Sequence, residues 1–369
     1  MSPNVNFEVA ADTVPLIITR ARADDAEAWD EFVERHPEGQ FCHLWGFRQV
    51  LEETYRYRCV YLNIFSQGKL VGVFPSIAVK RGSGRLISQP FNEYGGPLTE
   101  NLSANEHKQL TELLLRAARE EDCQSVEIRG GIGCEQAAES GGWIKHPLHS
   151  YAVLMLDEKN RLWWNSLTYE ARKGVNRARK AGLSVEIRRA ARAVENPFYK
   201  LYLISMKRLG VPPHAARFFE QLAAGLGNRV VAAWVKRNEN PIAILLGVVT
   251  GQRIHIFATA SEPNSWEMRP NDLAHWELIS WACTEGLRVF DFGSARYRGQ
   301  IHYKKKWGVS FHEYCYYVIG PPHRAANMRI QTVQSSSRFM MAIANLWRRF
   351  VPLAATAALG PPIRKYLTK

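Results

Sequence analysis

This 369-residue sequence lacks the cysteine and histidine patterns that mark stapled or metal-binding proteins. No two of its six cysteines form a C-x-x-C pair, which argues against both a zinc cluster and a disulfide framework. Its eleven histidines contain no H-E-x-x-H and no cluster with ligand spacing, so we expect no metal. We expect reduced thiols, as in a cytoplasmic protein, at Cys42, Cys59, Cys123, Cys134, Cys283 and Cys315.

Long apolar runs are also missing. The N-terminal segment has no basic start followed by an unbroken apolar stretch, so it does not predict a secretory signal. Residues 350–363 are 14 uncharged residues with three prolines, fewer than the roughly 20 apolar residues that span a bilayer. The sequence predicts a cytoplasmic protein, and it leaves open a peripheral contact with the inner membrane.

Several catalytic motifs are absent or incomplete. Asp291–Gly293 reads D-F-G, but no G-x-G-x-x-G loop, V-A-I-K strand or H-R-D loop precedes it, which excludes a kinase. No G-x-S-x-G elbow occurs. Residues 81–85, RGSGR, lie between two strand-like segments, which favours a hairpin turn over a phosphate cradle. No residues therefore support a hydrolase or an oxidoreductase.

What the sequence does contain is typical of a folded protein, with 46% hydrophobic and 22% charged residues. The net charge of +13 is concentrated in two segments. Residues 161–190 carry eight cations against two acids, residues 321–369 carry eight cations and no acid, and the remainder is almost neutral. Such patches favour localised anionic partners, with a solvated helix face as the alternative for each.

The periodicity predicts an α/β unit of about 150 residues, followed by a second unit with the same plan. Two strand, polar turn and strand segments about 170 residues apart are weak evidence for tandem duplication. The first unit is expected to contain helices at 24–35, 43–54 and 104–121 and strands at 60–65, 70–79, 85–91, 125–130 and 151–156. The second is expected to contain helices at 166–181, 194–209, 214–226 and 271–285, strands at 183–189 and 230–259, and a strand ending at Gly293 before a loop.

The last segment differs from both units. Phe339, Ile343, Leu346, Trp347 and Phe350 recur at helical spacing, while Arg348 and Arg349 point elsewhere. This pattern predicts a basic amphipathic helix. Docking on the body of the protein and resting on an anionic membrane surface are the two alternatives.

The segment 290–308, FDFGSARYRGQIHYKKKWG, concentrates cations and aromatic rings after a strand end. Cations can hold a phosphate or a developing oxyanion, and aromatic walls exclude water. An exposed basic hairpin is the alternative. The cations are Arg296, Arg298, Lys304, Lys305 and Lys306, and the rings are Tyr297, Tyr303 and Trp307.

Over residues 40–320 the motifs resemble the FemAB-related branch of the GNAT acyltransferase superfamily, in particular the FemAB-like proteins of exopolysaccharide and PEP-CTERM systems. The motifs that carry the resemblance, in this order, are FCHLWGF, LVGVFPS, PFNEYGGPL, ARKGVNRARKAGL, PPHAARFFEQL, PNDLAHWELISWA, FDFGSARYRGQ and YKKKWG.

The resemblance implies tandem GNAT-like domains with mixed, mostly antiparallel sheets, at 1–157 and 158–320, and leaves 321–369 as a basic helical tail. It also implies transfer of an acyl or aminoacyl group to an amine, without a metal and without a covalent enzyme intermediate. The donor is acyl-CoA or aminoacyl-tRNA. Neither is secured, because the [QR]-x-x-G-x-[GA] signature and a long helical arm are both absent.

The motif positions give the candidate site residues. By resemblance, Arg172 contacts a phosphate of acceptor or donor, and Lys304 stabilises charge at the reacting carbonyl. The candidate catalytic residues are Lys304, Asp291 and Tyr303. The candidate substrate-binding residues are Arg172, Arg177, Tyr94, Arg217, Asn271, Ser294, Arg296 and Trp307.

The leading hypothesis is an N-acyltransferase acting on an amino group of a sugar, peptide or lipid-linked precursor of the cell envelope or of exopolysaccharide. The acceptor is expected to be phosphorylated or lipid-linked. An RNA-binding or phosphate-binding protein and a catalytically idle scaffold are the alternatives. The leading hypothesis requires that the cationic loop after the last strand and the arginine-bearing helix meet at one cleft.

Overall fold

The computed structural model describes residues 15–91, 94–130, 134–156, 163–320 and 338–368. The first half runs from residue 15 to 156 and the second from 163 to 320. The first half contains β1 (Leu16–Arg20), α1 (Ala26–Arg35), α2 (Trp45–Tyr55), β2 (Arg58–Ser66), β3 (Lys69–Val79), β4 (Arg85–Ser88), β5 (Leu98–Thr99), α3 (Ala104–Glu120), β6 (Ser125–Gly130), α4 (Cys134–Gly141) and β7 (Ile144–Met155).

After its first two helices, the second half follows the element order of the first, except that its described residues contain no counterpart of β5. It contains α5 (Trp163–Ser166), α6 (Tyr169–Lys180), β8 (Ser184–Arg189), α7 (Phe198–Leu209), α8 (Ala216–Leu226), β9 (Val230–Arg237), β10 (Asn240–Thr250), β11 (Arg253–Ser261), α9 (Pro270–Thr284), β12 (Val289–Ala295), α10 (Arg298–Lys305) and β13 (Ser310–Ile319). The duplication inferred from the strand pattern therefore extends through both halves.

One mixed sheet joins the two halves. Its strand order is β1-β2-β3-β4-β6-β13-β7-β12-β11-β10-β9-β8, with β5 on β3. The last strand of each half lies beside a strand of the other half, because β13 pairs with β6 and β7 pairs with β12. Most pairs are antiparallel, but β4 with β6 and β11 with β12 are parallel. This is the mixed, mostly antiparallel sheet that the resemblance implied.

Helices cover both faces of the sheet. One face carries a single core, which is covered by the helices α1, α2, α7 and α8. The buried residues of this core include Phe32, Phe47, Tyr202 and Phe218 of the helices and Trp234 of β9. The other face carries two separate cores, one beneath α3 and α4 and one beneath α6 and α9. Because one core contains helices of both halves, the two halves pack as a single body.

Local sequence explains where several helices begin. Ser103 and Glu106 form a capping box at the start of α3, and Leu110 and Leu114 face its core, as the periodicity predicted. Thr168 caps α6 by accepting from the Ala171 N–H at 3.3 Å. The segment RGSGR forms the turn between β3 and β4, as expected.

Three helices of the two halves, α4, α5 and α10, were not predicted from the sequence. Residues 134–141, between the strands predicted at 125–130 and 151–156, form α4. The loop expected from Ser294 contains α10, Arg298–Lys305. The pattern failed at α10 because its most buried member is Lys304, a charged residue that breaks the apolar periodicity.

The tail forms α11 (Arg338–Phe350) and α12 (Leu353–Thr368), where one amphipathic helix was predicted. It docks on the body of the protein. Arg348 Nη2 donates to the Leu209 carbonyl at 3.0 Å, and Arg364 Nη1 donates to the Pro212 carbonyl at 2.8 Å. Tyr366 accepts from Arg81 of the first half at 2.8 Å. Within the described ranges, every helix falls short of the length and apolar content needed to pass through a bilayer.

Candidate active site

The candidate active site is a cleft of about 540 Å³ that begins where two parallel strands part. β11 pairs with β12 over three residues, Arg253 to His255, opposite Val289 to Asp291. Beyond His255, β11 runs on to Ser261 and remains paired with β10 on its other edge. On the side of β12, the part of β11 beyond His255 pairs with no strand of the described residues. This free stretch of strand edge forms one wall of the cleft.

Lys304 of α10 holds the opposite wall in place. Its ammonium donates to the carbonyl oxygens of Phe292, Gly293 and Ser294 at 2.6, 2.8 and 2.6 Å. An ammonium has three hydrogens, so these three bonds engage all of them. The observed geometry gives Lys304 a positioning role. The predicted direct role at the reacting carbonyl would require it to exchange one of these bonds.

Tyr303 presents a protonated hydroxyl at the cleft. Burial raises the pKa of Tyr303 well above its ordinary value, and its Oη lies 3.0 Å from His275 Nδ1. Burial lowers the pKa of His275 to about 3, so this imidazole is neutral. Lys306 lies 4.1 Å from the Tyr303 ring centre and pairs with buried Asp272 at 2.7 Å. Trp307 stacks on His275 beneath the cleft and does not line it.

Asp291 and His255 form a buried pair at the end of the paired strands. Asp291 accepts hydrogen bonds from Arg253 at 3.0 Å, Tyr94 at 3.2 Å and the Gly293 N–H at 2.8 Å. His255 Nδ1 lies 3.6 Å from Asp291 Oδ2. Burial alone would raise the pKa of Asp291, but His255, Arg253 and the Gly293 N–H together hold it below its ordinary value. The carboxylate is therefore ionised and oriented toward His255.

A second cavity of about 100 Å³ lies on the other side of this pair. Its lining includes Glu38 and Tyr94 of the first half and Arg253 of the second. Burial raises the pKa of Glu38 to about 6, Arg253 opposes the shift, and Glu135 and Asp291 add to it. Tyr94 and Arg253 both line this cavity and both bond to Asp291. The Asp291 carboxylate therefore contacts residues of both cavities, since His255 beside it lines the cleft.

The first half has an equivalent pair of parallel strands, β4 and β6, which also pair over three residues. Gly96 and Cys134 lie beside this pair and line the cavity of about 100 Å³, whereas the cleft beside β11 and β12 measures about 540 Å³. A Cβ on Gly96 would lie 2.6 Å from Cys134 Sγ and 3.2 Å from Ile128 Cγ2, so close packing narrows the space on this side. Among the described residues, the opening of the first half is therefore the smaller of the two.

The described residues that line the cleft include no aspartate or glutamate. The lining carries four cations instead, and such a site attracts anionic ligands. Among the described residues, no group of three or more histidine, cysteine, aspartate or glutamate side chains is arranged to hold a metal ion. The four cations are Arg208, Arg296, Lys304 and Arg364.

The structure brings together most of the predicted site residues. Asn271, Ser294, Arg296, Tyr303 and Lys304 line the cleft, while Asp291, Tyr94 and Trp307 lie directly behind its wall. Three predicted residues lie outside the cleft, namely Arg172, Arg177 and Arg217.

The basic helix α6 adjoins α10, but its arginines face elsewhere. Thr168 donates to the Lys306 carbonyl at 2.8 Å, so the two elements are in contact, but no described residue of α6 lines the cleft at which they were expected to meet. Arg172 donates to the Asn165 carbonyl at 2.9 Å, and Arg177 is exposed. Arg217 is paired at the surface of α8 with Glu53 at 2.8 Å. These arginines are therefore surface cations in this structure.

Sequence reasoning missed His255, His214 and Arg364, which line the cleft. His255 is in the strand RIHIF. A single histidine between apolar residues is typical of a buried core position, so the sequence did not indicate a functional role for His255. Its polar neighbour at i−2, Arg253, was the available signal, because both point to the same face of the strand. His214 belongs to the motif PPHAARFFEQL, in which Arg217 had been chosen.

Comparisons with known proteins agree with this geometry. Residues 165–305 match the model of the acetyltransferase (GNAT) domain. The crystal structure of FemX, 14% identical, superposes with a TM-score of 0.66 over 85% of this chain and 99% of that chain. The C-terminal domain of a protein assigned as a lysylphosphatidylglycerol synthetase from Agrobacterium fabrum, 12% identical, gives 0.57 over 84% and 96%.

L-PGS from Bacillus licheniformis, 13% identical, gives a TM-score of 0.52 over 89% of this chain and 98% of that chain. At these identities the structures share a fold with the chain. No protein of curated function matches by sequence.

Proposed function

We propose that this acyltransferase, whose residues 165–305 belong to the acetyltransferase (GNAT) family, modifies an amino group of a cell-envelope or exopolysaccharide precursor. The precursor would be a sugar, a peptide or a lipid-linked molecule. The fold shared with FemX and with two proteins named for lysylphosphatidylglycerol synthesis supports this proposal.

The cleft favours an acyl-CoA donor. An extended chain with amide groups, such as the pantetheine arm of CoA, can bond to the edge of β11 beyond His255, where the described residues provide no strand partner. Arg296 beside α10 supplies a cation for the CoA phosphates. Because the cavity beside Gly96 in the first half is only about 100 Å³, against about 540 Å³ for the cleft, we expect one donor per chain.

In the proposed reaction the acceptor amine attacks the donor carbonyl, the N–C bond forms, and the C–S bond of the thioester breaks. His255 takes the proton of the amine on Nε2, because Nδ1 faces the Asp291 carboxylate. Tyr303 donates its proton to the leaving thiolate and regains one from solvent. Lys304 keeps the β12 wall in the position that this geometry needs.

The observation that carries the proposal is the place of His255 and Asp291, at the residue where β11 and β12 part. The test incubates the purified chain with acetyl-CoA, longer acyl-CoAs and alanyl-tRNA, each with a panel of amino sugars and peptides. We expect thiol release that requires an amine. Binding of no donor and no turnover with any pair would contradict the proposal.

Aminoacyl-tRNA is the second candidate donor, and the outer face of α6 favours it. Lys173, Arg177 and Lys180 are exposed there and could contact a polyanion. Transfer from alanyl-tRNA that falls steeply with salt and with Arg177→Ala, alongside no transfer from acyl-CoA, would select this donor.

We further propose a peripheral contact between the tail and an anionic membrane. The large apolar side chains Leu346 and Phe350 of α11 are 57% and 65% exposed, and Leu359 of α12 is 53% exposed. No acid occurs in residues 321–369, so all the charged side chains of this segment are cations, which favour an anionic surface.

The membrane contact is tested by flotation with phosphatidylglycerol vesicles and with neutral phosphatidylcholine vesicles. The chain should float with the anionic vesicles only, and Leu346→Glu with Phe350→Glu should abolish this. Equal flotation of variant and parent would contradict the contact.

A further inference from the structure

One wall of the cleft is built by three parts of the chain that are distant in sequence. Phe91 follows β4 in the first half, His214 precedes α8 in the second, and Arg364 lies in α12 of the tail. The rings of Phe91 and His214 are 4.8 Å apart, and Arg364 Cζ is 5.5 Å from the Phe91 centroid. We call these three residues the tail-side wall.

His214 has one nitrogen that forms no hydrogen bond with any described residue. The residue is 1% exposed, and its ring stacks on Phe218 at 4.0 Å. Its Nδ1 lies 2.6 Å from Tyr55 Oη, while Nε2 has no hydrogen-bond partner among the described residues. A buried polar atom without a partner is costly, and one that lines a cleft is suited to a ligand.

The hydrogen bond between Tyr55 and Nδ1 of His214 determines whether Nε2 is a hydrogen-bond donor or an acceptor. Burial raises the pKa of Tyr55 far above its ordinary value, so the phenol keeps its proton. That proton needs an acceptor, and in the described residues His214 Nδ1 is the one within reach. Burial lowers the pKa of His214 well below its ordinary value, so the imidazole is neutral. Its one hydrogen is then on Nε2, which makes Nε2 a donor.

Arg364 adds a positive charge to the same wall. Its Nη1 is fixed by the Pro212 carbonyl at 2.8 Å, two residues before His214. Arg208 also lines the cleft. Burial and the positive charge of Arg348 nearby lower the pKa of Arg208, so several cations lie close together here. A neutral donor beside several cations, with no carboxylate among the described lining residues, is suited to an anion.

We propose that the tail-side wall binds an anionic group of the acceptor, a phosphate or a carboxylate, and thereby selects amines that carry such a group. This inference rests on the proposed function and specifies its substrate class. It also gives the tail a part in the site, because the cation comes from α12.

The test measures dissociation constants by calorimetry for two matched pairs of amines. O-phosphoethanolamine is compared with ethanolamine, and glycine with glycinamide, so that phosphate and carboxylate are separated. The proteins are the parent, Arg364→Ala, Arg364→Lys, and Arg349→Ala as an exposed tail control. CoA binding and thermal melting are measured in parallel.

We expect the anionic member of at least one pair to bind tenfold or more tightly to the parent, and Arg364→Ala to remove this preference. Arg364→Lys should retain part of it, and Arg349→Ala all of it, with CoA binding unchanged throughout. Equal binding within both pairs, or an unchanged preference in folded Arg364→Ala, would overturn the inference even if CoA binds. Absence of CoA binding and turnover with an intact preference would instead count against the proposed function.

Discussion

His255 and Asp291 face each other across the last paired position between β11 and β12, with 3.6 Å between His255 Nδ1 and Asp291 Oδ2. The pair is thus fixed by the sheet itself, and its position does not depend on a loop. A histidine held in this way has a defined orientation before any substrate arrives, which is what general base catalysis requires.

Replacing His255 by Gln should lower kcat at least about 100-fold, the usual contribution of a positioned general base. His302→Gln is the matched control, since that side chain is 76% exposed on α10. A His255→Gln enzyme with parental kcat would exclude the assignment.

Lys304→Met should weaken both folding and activity. Three carbonyl oxygens would lose their donor, and an unsatisfied buried polar group costs about 1–3 kcal/mol. Because Lys304 is buried, its loss differs from that of a surface lysine, which rarely contributes to stability. Lys305→Met, at the exposed next position, should change the unfolding free energy by less than about 0.5 kcal/mol. Urea titration of both variants, with kcat measured in parallel, checks this.

Glu38→Gln should stabilise the protein at neutral pH. The pKa of Glu38 in the folded protein is about 6, above its ordinary value of 4.5, so the folded state binds this proton more tightly than the unfolded state. Stability is therefore lost as the pH rises from about 4.5 to about 6. The unfolding free energy of Glu38→Gln should exceed that of the parent at pH 7.5 and approach it near pH 4.

Glu267→Gln is the control for that series, because its side chain is exposed. It should show the same pH dependence as the parent. A Glu38→Gln variant that is less stable than the parent at pH 7.5 would contradict the burial of this carboxylate.

Gly174→Ala should destabilise the packing of α6 on α9. A Cβ at this position would overlap Asp272 Oδ2, which belongs to the buried pair with Lys306. Overpacking of this kind costs about 1–3 kcal/mol. Gly299→Ala in α10 is the control, since its added Cβ meets no atom within 4 Å. Thermal melting should separate the two variants clearly, and equal melting temperatures would contradict the close approach.

Much of the fold could be predicted because its strands and long helices follow simple periodicities. The strand at 125–130 and the helix at 104–121 were found within a residue of their observed ends. The exchange of β7 and β13 could not be read from the sequence, because partner choice depends on contacts between residues far apart in the chain. The helix α10 was not predicted, because its buried residue is a lysine that donates to backbone carbonyls.

The site could be predicted where charge and aromatic residues cluster in sequence, as at Tyr303 and Lys304. Residues that act singly were missed. His255 is a lone histidine in an apolar strand, and Arg364 lies about 60 residues beyond the motif cluster. Arg172 and Arg217 illustrate the opposite case, in which a conspicuous arginine is satisfied by a carbonyl or by a surface glutamate.

Because β13 completes the sheet beside β6, and β7 completes it beside β12, each half lends its final strand to the other. Separately expressed halves would each expose a strand edge with unpaired N–H and C=O groups, and they should aggregate or swap strands. The chain therefore cannot be divided between residues 156 and 163 without taking one strand partner from each half.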